Sequence, residues 1–274
     1  ISIDSVILQR LVERSRSKLI KLGELFMDKF KILALAFAAF LGLSSSAHAE
    51  GVVLQPSDFV GISFWIVSMG MLAATVFFFV EREGVGVAWK TPITVAGLVT
   101  GVAFVHYMYL RGVWVQTADA PTVYRYVDWL ITMPLQIVEF YLVLSVVRKV
   151  KTSIFWKLLG ASLVMVVGGY LGESKAILPF FGFVIQVGGW IYIIFEIFSG
   201  EAGKLASRIS DRPVVEAFGY MRMIVAIGWA IYPLGYIFGY LNTGIDGNVM
   251  NVIYNLTDFV NKIAFGLVIW IAAK

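Results

Sequence analysis

Four stretches of the chain, 59–80, 91–110, 176–195 and 223–245, contain no Asp, Glu, Lys or Arg. Each is close to the ~20 residues that a helix needs to cross a hydrocarbon core. Backbone groups facing lipid restrict spanning structures to helices and closed barrels, and these runs lack the alternating polarity of barrel strands. Three further segments, 122–147, 152–172 and 248–273, have the length and apolar character of spans, although two are interrupted by charge. The expectation is an all-α fold, a seven-transmembrane-helix bundle in contact with membrane lipid. Composition agrees, with 59% hydrophobic and 15% charged residues, against about 25% charged in a typical soluble domain.

The first 49 residues read differently. From Met27 the chain runs MDKFKILALAFAAFLGLSSSAHAE. Two lysines, a short apolar stretch and an Ala47-His48-Ala49 cleavage pattern make 27–49 a signal peptide, with a short first membrane helix as the alternative. Residues 1–26 are polar and read as an upstream segment with no functional role, leaving 50–274 as the seven-helix domain. With the mature N-terminus outside, the cytoplasmic loop ends hold Arg82, Lys90, Arg148, Lys149, Lys151, Lys157, Lys204, Arg208, Arg212, Arg222 and Lys274, while the external loops hold Arg111 and Lys175. This strong positive-inside bias puts the C-terminus in the cytoplasm and the third and seventh spans running from outside to inside. The chain has no cysteine and two distant histidines, so a thiol or His-rich metal site is not expected. A net charge of +4 without a basic, aromatic-interleaved patch does not indicate nucleic acid.

The third span, PTVYRYVDWLITMPLQIVE, carries Arg125, Asp128 and Glu139. A charge at the bilayer centre costs roughly 3 kcal/mol on insertion scales, so three such groups need a reason. Counted from residue 121 at about 1.5 Å per residue, Asp128 lies roughly 10 Å and Glu139 roughly 27 Å from the outer end. At about 100° per residue they fall only about 20° apart around the helix axis, on one stripe facing one interior pathway, with Arg125 and Thr132 on the same side. In the seventh span Lys262 lies at an intermediate depth, roughly 21 Å in, with Asp258 one turn earlier on the same face. A buried lysine beside a carboxylate is either a structural ion pair or, because its amine is a nucleophile, a point of attachment for an aldehyde.

The segments RYVDWLITMPLQIVEFYL, WAIYPLGY and YNLTDFVNKIAFGLVIW resemble the third, sixth and seventh helices of proteorhodopsins among the microbial rhodopsins, and the resemblance extends over about residues 57–274. It implies a retinal pocket, with all-trans retinal bound through a protonated Schiff base to Lys262, and light-driven outward pumping of protons rather than enzymatic catalysis. Asp128 matches the counterion and primary proton acceptor, Asp258 the second counterion, Arg125 the neighbouring arginine, Thr132 the middle of the pump triplet and Glu139 the cytoplasmic donor. For Glu139 the resemblance stands beside a plain reading as a snorkelling residue at the membrane interface. His106 either bonds between helices or, as the resemblance implies, partners the acceptor aspartate. Trp129, Trp190, Trp229, Tyr232, Pro233 and Tyr254 match the retinal cage, although aromatics in a bundle also simply pack. Gln136 lies about 80° around the helix from Asp128; blue-absorbing members of the family carry Gln there and green-absorbing members Leu, so a blue-absorbing pigment is implied. A sensory photoreceptor of the same fold is the alternative function. The family further implies a bacterial inner-membrane location and a homo-oligomer, a pentamer in particular.

Overall fold

The computed structural model describes residues 53–119, 122–241 and 246–274. The upstream segment 1–26 and the signal peptide at 27–49 lie outside the described residues. Seven helical segments long and apolar enough to span a membrane run Phe59–Gly84, Val87–Thr117, Thr122–Ser145, Thr152–Glu173, Pro179–Ala206, Arg212–Leu241 and Gly247–Ala273. The described residues contain no strand.

The helices are α1 (Phe59–Glu81), α2 (Lys90–Thr117), α3 (Arg125–Ser145), α4 (Thr152–Glu173), α5 (Pro179–Phe198), the short α6 (Glu201–Ala206), α7 (Arg212–Ile227), α8 (Ile231–Tyr236) and α9 (Gly247–Ala273). α5 and α6 form the fifth span; α7, a 3-10 turn at Gly228–Ala230, α8 and a π-helical turn at Ile237–Leu241 form the sixth. Consecutive spans pack side by side, and α9 closes the ring against α1, α2 and α7. α3 touches α2, α4 and α7, and is the most buried of the spans. The charged residues of the third span are therefore carried on the helix that has neighbours on most of its sides.

Local chemistry sets the helix ends. Asp58 caps α1 by accepting from the Gly61 N–H at 2.8 Å, Asp211 caps α7 through Val214 at 3.1 Å, and Asp246 caps α9 through Asn248 at 3.0 Å. Each satisfies an amide that has no partner within its helix. Pro213 occupies the first turn of α7, where a missing N–H costs nothing. Together with the Asp211 cap it starts the sixth span at Arg212, eleven residues before the charge-free run that marks it in the sequence. Pro179 starts α5 in the same way, three residues inside its charge-free run, after Lys175 has ended α4 with a left-handed φ of 61°.

The sixth span is not one regular helix. Pro233 has no N–H to return to the Trp229 carbonyl, and the chain tightens into the 3-10 turn just before it. The Val225 carbonyl at this point accepts instead from the Trp190 indole of α5 at 2.9 Å. α4 and α5 meet at two glycines, since a Cβ on Gly182 would stand 2.9 Å from the Gly172 nitrogen. That close approach draws α4 and α5 together against Tyr236 of the sixth span, whose hydroxyl donates to the Pro179 carbonyl at 2.8 Å.

Candidate functional site

The predicted charges converge. α9 carries Lys262 to 2% exposure, and its Nζ pairs with Asp128 Oδ2 from α3 and stands 3.4 Å from Asp258 Oδ2 on its own helix. The i,i+4 spacing of Asp258 and Lys262 places both on one face of α9. Arg125, also buried, supplies the second cation, so two cations and two carboxylates sum to zero charge. Neutrality is what makes such a cluster tolerable away from water, provided that hydrogen bonds satisfy the remaining valences.

Those valences are filled unequally. Asp258 Oδ2 accepts from the Tyr107 hydroxyl at 2.7 Å and the Trp129 indole at 3.3 Å, and Oδ1 accepts from the Tyr232 hydroxyl at 2.5 Å. Donors from α2, α3 and α8 thus hold it from three sides. Asp128 has only Lys262, and its Oδ1 is buried with no protein partner. The Thr132 hydroxyl bonds back to the Asp128 backbone carbonyl at 3.1 Å and leaves the carboxylate alone. Arg125 donates to the Tyr107 hydroxyl at 3.0 Å, to Asn251 Oδ1 at 2.9 Å and to Asn255 Oδ1 at 2.7 Å, with its guanidinium 5.4 Å from the Tyr254 ring centroid. It therefore reaches Asp258 through Tyr107 rather than by direct pairing.

Glu139 stands apart from this cluster, a little over three helical turns along α3 from Asp128. It is 1% exposed and neither carboxyl oxygen has a protein partner. It thus differs from Asp128 and Asp258, whose carboxylates both face Lys262. Its burial favours the interior role over a snorkelling one. His106 is buried on α2, its ring 6.2 Å from that of Tyr107, and its Nε2 has no protein partner. The structure does not join it to Asp128 by a hydrogen bond.

A cavity opens beside the charged cluster. Of the six predicted cage residues, Trp129, Trp190, Trp229, Tyr232 and Pro233 line it. Tyr254 backs the wall instead, its ring 10° from parallel to that of Tyr232. Tyr126, Met133, Met165, Val166, Gln186 and Val187 complete the lining and were not singled out by the sequence. Tyr126, Trp129 and Met133 form an i, i+3, i+7 stripe on α3, and Gln136 continues that stripe just beyond the wall, its Nε2 buried without a protein partner. Trp129 and Tyr232 belong both to the wall and to the Asp258 hydrogen-bond set, so the apolar space ends at the Lys262 cluster. Aromatic walls for a polyene, a buried amine for its aldehyde and carboxylates to balance a cation form a donor set that fits retinal.

Tyr107, Asn251 and Asn255 were likewise not anticipated. The two asparagines precede Asp258 by seven and three residues and share its face, the one signal that pointed to them. Tyr107 adjoins His106 within the charge-free run 91–110, where no charge marks it. Glu173, at the end of α4, is a further buried carboxyl outside the cluster, accepting from the Tyr126 hydroxyl at 2.8 Å.

The fold and the centre define a seven-helix membrane protein built around a buried lysine held by two carboxylates, with an aromatic cavity at its side. Residues 58–274 match the profile of the family described as bacteriorhodopsin-like protein. The blue-light absorbing proteorhodopsin of Gamma-proteobacterium Hot 75m4 is 53% identical over 242 residues, covering 87% of this chain and 95% of that one. The green-light absorbing proteorhodopsin of Gamma-proteobacterium EBAC31A08 is 51% identical over 240 residues, again covering 87% and 95%. The crystal structure of the blue light-absorbing proteorhodopsin from Med12 superposes with a TM-score of 0.68 at 51% identity, covering 79% of this chain and 98% of that one. The chain belongs to the bacteriorhodopsin-like family.

Tyr107 joins Arg125 to Asp258, so Tyr107→Phe leaves a buried guanidinium N–H and a carboxylate oxygen each short of one partner. The expected cost is about 1–3 kcal/mol of stability, read as earlier thermal loss of helical circular dichroism. A variant that melts with the parent shows that the phenol does not tie the two groups together.

Proposed function

We infer that this chain is a light-driven outward proton pump that holds all-trans retinal on Lys262 and absorbs blue light. The observation that carries the reading is the unequal treatment of two carboxylates around one buried lysine. Bound to the Lys262 nitrogen, retinal supplies the absorption of light and the isomerisation that changes how that nitrogen holds its proton. Asp128 receives the proton, because Oδ2 already touches the lysine and Oδ1 has no competing donor. Asp258, saturated by Tyr107, Trp129 and Tyr232, remains the fixed anion. Glu139 returns a proton to the Lys262 nitrogen from the opposite side. Trp129, Trp190, Trp229, Tyr232 and Pro233 confine the polyene, backed by Tyr254. Thr132 restrains the α3 backbone below Asp128, and His106 is the partner of the acceptor Asp128 without a direct hydrogen bond to it.

Direction follows from the topology. The mature N-terminus is external and the C-terminus cytoplasmic, because the loop cations are concentrated at one end. Asp128 then lies toward the outside and Glu139 toward the cytoplasm, so a proton moving from Glu139 through Lys262 to Asp128 moves outward. The membrane is a bacterial plasma membrane, in keeping with the gamma-proteobacterial relatives; residues 27–49 direct the chain there and are removed. The working unit is a homo-oligomer, with a pentamer as the specific proposal.

Cells making the parent protein and supplied with all-trans retinal are expected to acidify their medium on illumination. Lys262→Ala removes both the visible band and the acidification while leaving an inserted protein. A retinylated variant surviving borohydride reduction overturns the assignment of Lys262.

Glu139→Gln is expected to bind retinal normally but to return the proton to the Lys262 nitrogen roughly 10²-fold more slowly, the lower range for loss of a positioned acid. Flash photolysis at alkaline pH measures this; parent-like recovery there rules out Glu139 as the donor.

The colour assignment rests on Gln136. Gln136→Leu removes a dipole from the stripe that flanks the polyene while nearly keeping its volume, and an amide worth about 1–3 kcal/mol between ground and excited states moves the band toward green on the order of tens of nanometres. The spectrum is to be recorded where Asp128 is ionised. A maximum that stays in place removes Gln136, but not the pump, from the account.

A further inference from the structure

We propose that the cleft between the fifth and sixth spans, at the end rich in loop cations, binds the headgroup of an anionic phospholipid. Its lining combines Lys204 and Ser207 from the α6 end, Arg222 from α7, and the apolar side chains of Phe198, Val215 and Phe218. Neither acid type contributes to it. Val215, Phe218 and Arg222 follow one another at helical spacing on α7, so a single face of that helix is apolar at one end of the cleft and cationic at the other.

The charge there is uncompensated. Arg222 is half-buried with its guanidinium 4.8 Å from the Phe198 ring centroid, and it makes no ion pair among the described residues. The acids on the surrounding elements are engaged elsewhere. Glu201 pairs with Lys157 at 3.1 Å and Glu216 with Arg212 at 2.7 Å. Glu196 accepts from the Ala202 amide at 3.1 Å, and Asp211 caps α7. Two cations are therefore left facing a cleft whose other walls are apolar apart from Ser207.

The level of the site selects its occupant. Arg222 is the last charge before the apolar run that begins at residue 223, and Phe198 lies three residues beyond the end of the apolar run at 195. This is the depth at which lipid phosphates meet the hydrocarbon, and basic pockets between helices on the cytoplasmic side suit anionic headgroups. Phe198 and Val215 are exposed, providing apolar surface for the glycerol and the start of an acyl chain. A free phosphate has no use for these walls, whereas a phosphodiester carrying acyl chains satisfies both the cations and the aromatic surface.

The test is native mass spectrometry of the purified full chain given equal amounts of phosphatidylglycerol and phosphatidylcholine. The parent is expected to retain phosphatidylglycerol in preference. Arg222→Gln and Lys204→Gln should each lower that retention about fivefold, equivalent to the ~1 kcal/mol contributed by one cation near a membrane surface. Arg148→Gln, an equal loss of charge elsewhere on the same end, should leave it unchanged. Lys204 is exposed, so its variant carries the test even if Arg222→Gln does not fold. Equal retention of the two lipids, parent-like retention by both cleft variants, or an equal loss in Arg148→Gln overturns the proposal. Displacement by excess inorganic phosphate would assign the cleft to a free anion, and a change confined to chain-to-chain species would assign it to a second copy; either result also overturns it.

Discussion

A cation buried between two anions is the constraint on which the rest of this structure depends. Lys262 could not sit at 2% exposure without Asp128 and Asp258, since an unpaired buried charge costs several kcal/mol even after relaxation. The two carboxylates would in turn repel one another without Lys262 and Arg125. Each helix that contributes a charge is thereby fixed in rotation and depth relative to the others. α3 and α9 supply all four charged groups, and the remaining spans supply hydrogen bonds or walls.

The unequal hydrogen bonding of the two carboxylates follows from which helices surround them. Asp258 faces Tyr107, Trp129 and Tyr232, three rigid donors whose rings are packed in the bundle. Together these donors fill the valences of the carboxylate that Lys262 leaves. Asp128 points from α3 at the lysine, and the hydroxyl nearest in sequence, Thr132, is committed to the backbone. The same neutral cluster thus contains one carboxylate held by three donors besides the lysine and one held by the lysine alone.

Much of this was legible in the sequence because the membrane makes polarity informative. Asp128, Glu139, Asp258 and Lys262 stood out as charges in apolar runs, and helical phase was enough to bring the first two onto one stripe and the last two onto one face. The span limits were less legible. The sixth begins at Arg212 because a cap and a proline extend it beyond the membrane, where hydropathy carries no signal. Tyr107, Met165 and Gln186 were missed for another reason. Tyrosine, methionine and glutamine are ordinary residues in a membrane bundle, and only the packing of spans distant in sequence reveals which of them face Asp258 or the cavity. His106, read from the sequence either as a bond between helices or as a partner of Asp128, is buried on α2 with Nε2 lacking a protein partner.

Among the described residues, the buried polar atoms without a protein partner are spread over several spans and are most numerous on α3. Arg125 Nε, Asp128 Oδ1, Gln136 Nε2 and both oxygens of Glu139 lie along α3, Trp229 Nε1 and Gln186 Oε1 belong to the cavity wall, Asn261 Nδ2 lies next to Lys262 in sequence, and His106 Nε2, Arg111 Nε and Glu173 Oε2 lie elsewhere. Folded proteins leave few such groups, because each one forfeits about 1–3 kcal/mol. The contrast is with the chain from Ser63 through Asn255 to Arg125, where each link is a hydrogen bond. Both carboxylates of α3, Asp128 and Glu139, are among the groups with an unpartnered atom. On the pump reading proposed above, a path for protons requires such groups, since a carboxyl whose valences are all occupied by fixed donors can neither accept a proton nor release one.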